Sequence, residues 1–177
     1  MIQHFRVKLF AEDPVTIDLG DAIPVFHRWI RDRVLDELLI DVADYRHVPA
    51  GPGVVLVGHD ALYSLDNGGR RLGLLYNRRT VLEGRTGGKL HAAFEAARRA
   101  CRRLEAEPEF RGKLRFSDGE CEVSVNDRAL APNTEQTWLA LKGELEQFLS
   151  EIWLGRTYAV ERAKDPRELL RITAKVA

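Results

Sequence analysis

Apolar and polar positions change period several times along the chain, and each change marks an element. Residues 4–10 alternate, with Phe5, Val7 and Leu9 on one side and Arg6 and Lys8 on the other, the pattern of a half-buried strand. Asp13-Pro14 breaks it. Asp21 is placed to cap a helix that tolerates Pro24 in its first turn. Ile23, Phe26, Ile30 and Val34 then recur at helical spacing to about Leu35, while Arg28, Arg31 and Asp32 face outward. Residues 38–45 read as a second strand, with Leu38, Ile40 and Val42 sharing a face. Residues 54–57 are continuously apolar, which suits a strand buried on both sides. Two further runs, 61–65 and 72–76, flank Asp66-Asn67-Gly68-Gly69, residues that accept positive φ and so predict a hairpin.

The second half shows longer periods. Leu90, Phe94, Ala97, Cys101 and Leu104 make one helical stripe from near Gly88 to Pro108. Residues 114–116 and 121–125 are expected to pair through a second hairpin at Ser117-Asp118-Gly119-Glu120. Pro132-Asn133 opens a third helix, with Asn133 as cap and Gln136 three residues on, and Trp138, Leu141, Leu145, Phe148 and Ile152 as its stripe. Runs at 157–162 and 169–176 flank Lys164-Asp165-Pro166 as a closing hairpin, although residues 167–171 suit a short helical turn as an alternative. Strands in hairpins interrupted by three helices predict one α+β domain over residues 1–177. A mostly antiparallel sheet of about eight strands is expected to carry the helices on one face. A loose duplication of strand, hairpin and helix has no residue-level repeat behind it.

Composition narrows the class without naming a function. Lys plus Arg and Asp plus Glu are 27 each, so no global charge steers the chain toward nucleic acid or a membrane. A hydrophobic share of 45% and a charged share of 31% are ordinary for a globular chain that buries its own core. No run approaches the roughly 18 apolar residues of a membrane span, and the N-terminus lacks a signal-peptide pattern. A cytoplasmic location is the expectation. Cys101 and Cys121 form neither a disulfide framework nor a metal pair, and Cys101 falls on an apolar helical stripe, where a buried thiol is inert. Trp29, Trp138 and Trp153 read as core or interface anchors.

Candidate chemistry concentrates between His47 and Thr80. His59, Asp60 and Tyr63 follow the apolar run at 54–57 and suggest general acid–base work. Neighbours on a strand point to opposite faces, however, so His59 and Asp60 meet only across a bulge, and a polar turn is the plainer reading. Tyr76, Asn77, Arg78 and Arg79, with Arg85 and Lys89 beyond them, lead from a strand end into a helix start, where free amides favour an anionic ligand. The glycines there are out of register for a Walker-type loop, and Leu90 stands where such a loop needs a hydroxyl, which excludes a nucleoside triphosphatase.

Arg98, Arg99, Arg102 and Arg103 form the most basic patch, yet interleaved glutamates make a salt-bridged surface the better account than nucleic-acid binding. No GxSxG, HExxH or EF-hand pattern occurs, so no cofactor is expected. A metal held by His47 and His59 would need a third group such as Asp44 or Asp60, and no metal is assigned. These readings predict a non-enzymatic module for a partner protein or small anionic ligand, self-associating as a homodimer through a free sheet edge. The alternative is a small enzyme centred on His59 with Asp60 or Tyr63. A pocket is expected where the Gly51-Pro52-Gly53 turn meets the start of the second helix.

Overall fold

The alternating residues of the first strand end up in the interior of a sheet. The computed structural model describes residues 2–177. Its strands are β1 (Phe5–Ala11), β2 (Leu39–Tyr45), β3 (Gly53–Gly58), β4 (Ala61–Asp66), β5 (Gly73–Arg78), β6 (Phe116–Val125), β7 (Tyr158–Arg162) and β8 (Arg171–Val176). The α-helices are α1 (Ala22–Asp32), α2 (Thr86–Ala106) and α3 (Glu135–Ile152). All strands join one open antiparallel sheet in the order β2-β3-β4-β5-β1-β6-β8-β7, so the fold is α+β as the patterning predicts. β2 and β7 are its free edges. Among the described residues no helix is long and apolar enough to cross a membrane.

Pairing register sorts the side chains into two faces. Val7 lies beside Tyr76 and Val123, and Leu9 beside Leu74 and Cys121. These residues pack with Val25, Phe26 and Trp29 of α1, Leu90, Ala97 and Leu104 of α2, and Leu141, Leu145 and Phe148 of α3 in one core. Burying each large side chain there contributes about 1.5–3 kcal/mol. Arg6, Lys8, Phe10, Val55, Ser64, Leu75 and Ser124 alternate with those residues. They point to the opposite, helix-free face and lie outside that core. The α1 helix is tied to the chain beyond α2 by polar contacts as well: buried Glu107 accepts from Trp29 Nε1 at 2.8 Å, and Arg28 reaches both Glu107 and Glu109.

Four local expectations are corrected. The second expected hairpin does not form: Phe116 pairs with Ala11 and Cys121 with Leu9, so residues 116–125 are one strand bulged opposite β1. β8 pairs Lys175 with Glu120 and draws the supposed turn into the ladder. On β2 a register shift between Leu39 and Asp41 turns Leu38 and Ile40 outward and buries Leu39. Asp21 makes no side-chain cap; Asp18 instead accepts from Gly20 N ahead of α1. At α3 the cap is Thr134, accepting from Thr137 N, while buried Asn133 donates to the Ala163 and Asp165 carbonyls.

Candidate functional site

Tyr63 and Tyr76 occupy paired positions on β4 and β5, so both phenols point toward the helices. Their rings meet edge to face at 5.2 Å. Arg78, Asp60 and Glu37 join them around a hollow of about 340 Å³ whose far wall is α2. Glu37, in the loop between α1 and β2, organises the group although its sequence context gave no signal. One of its oxygens accepts from Tyr63 Oη at 2.7 Å, the other from the Asp60 and Ala61 amides. Gly58 permits this approach, because a Cβ there would lie 2.3 Å from Glu37 Oε2. Burial first, then the bond to Glu37, push the Tyr63 phenol well above its ordinary pKa of 10.0, and burial raises Tyr76 despite the nearby Arg78. Asp60 accepts from Thr80 Oγ1 at 2.9 Å and lies 3.8 Å from Arg78. The Glu37 and Asp60 carboxylates are thus already committed within the fold.

The other expected residues disperse. His59 is exposed in the turn joining β3 to β4, away from the Tyr63 hydroxyl. Arg79 reaches only the Gly58 carbonyl, at 3.4 Å. Asn77 faces the helix-free side, opposite to Tyr76. At the start of α2, the Gly87 amide is taken by Glu144 Oε2 at 2.8 Å, so a carboxylate of α3 fills the place where an anion was expected. Arg85 is exposed there, and Lys89 is buried against Gln3 Oε1 and the Ile2 carbonyl. The hollows at this helix start are bounded by α3, not by the Gly51-Pro52-Gly53 turn, which corrects the expected pocket. On the arginine face, Arg98 pairs with Glu95, Arg99 with Asp36 and Arg103 with Glu107, while Arg102 sits in a hollow that Asp118 also lines. Both cysteines are buried, and burial pushes the Cys121 thiol up to about 12.

The helix-free face holds a second group of polar side chains that the patterning registered only as the outward side of a strand. Lys8 is buried at 3% exposure and its ammonium lies 2.5 Å from Asp66 and 3.0 Å from the Gly68 carbonyl. Gly73, opposite Phe10, makes room for it, since a Cβ there would meet Lys8 Cε at 2.9 Å and the Leu9 carbonyl at 2.6 Å. Arg71 stacks 3.9 Å over Phe10 and is paired with Glu120; Arg171 is paired with Glu122 and Glu168. Arg6 differs. Its Nε is buried without a hydrogen-bond partner, and its guanidinium forms no ion pair among the described residues. Directly opposite it on the neighbouring strands stand Asn77 and Ser124, with Arg171 one strand further. Arg6 and Arg171 border a groove of about 440 Å³ floored by Phe10 and Leu75.

Among the described residues no cluster of three or more His, Cys, Asp or Glu side chains is placed to hold a metal ion. Comparison of the chain with protein-family models, curated proteins and solved structures finds no match in any of the three.

Proposed function

We propose that the chain is a non-enzymatic binding module that receives a small anionic ligand in the groove on its helix-free sheet face. The observation that carries this reading is Arg6. Arg6 is half-buried in the groove lining and has no ion pair among the described residues, so an anion entering the groove would meet a cation that no carboxylate has answered. The tyrosine hollow supports the reading from the other direction, because its hydroxyl and carboxylate groups are joined to each other and serve the fold. No observation favours the acid–base alternative: exposed His59 does not line the hollow that holds Asp60 and Tyr63. Self-association belongs to the same proposal through the free edges β2 and β7.

The test is amide chemical-shift mapping during titration with the monoanions benzoate and acetate. Shifts are expected on β1, β5 and β6 around Arg6, and their loss is expected in Arg6→Gln. Anion-induced shifts that survive Arg6→Gln, or that map to α2, would refute the assignment.

A further inference from the structure

The charge pattern of the groove narrows its ligand. Resting on the anion-site reading above, we infer that the groove selects a small, singly charged carboxylate and rejects dianions such as phosphate monoesters. Three of its four cations are already matched by carboxylates: Lys8 by Asp66, Arg71 by Glu120, and Arg171 by Glu122 and Glu168. Only Arg6 has its charge uncommitted. One negative charge placed against that guanidinium is neutralised. A second would face Glu122, Asp66 and Glu168 on the groove walls with no free cation to answer it. The planar guanidinium fork also fits a planar carboxylate with two parallel hydrogen bonds.

The floor sets the size of the ligand and adds little to its hold. Phe10 is 4% exposed with Arg71 stacked 3.9 Å over its ring, and Leu75 is 6% exposed, so little apolar surface is left for a ligand to cover. A groove of about 440 Å³ suits an aromatic or short aliphatic acid rather than a folded partner.

Isothermal titration calorimetry near neutral pH, where a phosphate monoester is dianionic, separates the cases with matched probes. Benzoate, phenyl phosphate and benzyl alcohol share one ring and differ in charge. Benzoate is expected to bind at least tenfold tighter than either other probe and to lose at least tenfold in Arg6→Gln. Glu122→Gln, which removes one wall carboxylate, is expected to narrow the gap between benzoate and phenyl phosphate. Phenyl phosphate binding as tightly as benzoate would overturn this selectivity but leave an anion site standing. Equal binding of benzyl alcohol would overturn the role of charge. A tripeptide ending in Phe that binds only with its free C-terminus, while benzoate does not bind, would replace the small acid by a peptide end and overturn the inference. If neither anion binds, the anion-site reading falls as well.

Discussion

The two faces of this sheet are made by alternate residues of the same strands, and they treat polar groups in opposite ways. On the helix-bearing side, Glu37 accepts from Tyr63 and the Asp60 amide while Asp60 accepts from Thr80, which ties a loop, a turn and a strand into one unit. On the helix-free side, Lys8, Arg71 and Arg171 are matched by carboxylates but Arg6 is left over. A concentration of aromatic and charged residues is therefore a poor guide to a binding site. What distinguishes the two clusters is whether a charged group remains unpaired once the chain has folded.

The comparison can be broken by mutation. Asp66→Ala should have the largest effect, about 3–5 kcal/mol of lost stability in urea unfolding, because it strands the buried Lys8 ammonium. A much smaller loss would mean that water reaches Lys8 and that the helix-free face is looser than its burial implies. Next come two neighbours on β5. Leu74→Ala, fully buried under the helices, should cost about 2–5 kcal/mol, since it adds a cavity to the lost burial. Leu75→Ala faces the open groove, has no helix above it to leave a void, and should cost about 1–2 kcal/mol. Equal losses would show that both faces are packed alike.

Titration of the tyrosine hollow gives a smaller, pH-dependent effect. The folded-state pKa of Tyr63 is raised above the ordinary 10.0, so between these values the unfolded chain has released a proton that the folded chain still holds. The stability that comes from keeping Tyr63 protonated is fully present below pH 10.0 and is lost as pH rises through the folded value. Unfolding measured below pH 10.0 and then at rising pH above it should show the decline begin, and Tyr63→Phe should flatten it; an unchanged slope would point to another group. Smallest of all, Arg6→Gln should move stability by no more than about 0.5 kcal/mol in either direction, as the charge it removes has no partner. A large loss would reveal a structural role for Arg6 and weaken its assignment to a ligand.

Much of the fold was legible because helix and strand periods are local. The stripe from Leu90 to Leu104 and the alternation from Phe5 to Leu9 both survive in the structure. The supposed turn at 117–120 misled because its turn-forming residues are overridden by β8, a strand from the far end of the chain. Tyr63, Tyr76 and Arg78 were recognised and do come together, while Glu37, the carboxylate that joins them to the β3–β4 turn, lay in an unremarkable loop. The Asn133 cap failed for a related reason: its Nδ2 donates to carbonyls beyond β7, which holds the side chain away from the helix, and Thr134 supplies the capping oxygen instead.

By itself, the sequence determined the alternation that gives each strand two faces, the three amphipathic helices and the balance of charge. It left undetermined which polar groups would find partners, because that depends on strands being set side by side from distant parts of the chain. Only the tertiary structure decided that Lys8 meets Asp66 while Arg6, two residues away on the same face, meets no carboxylate.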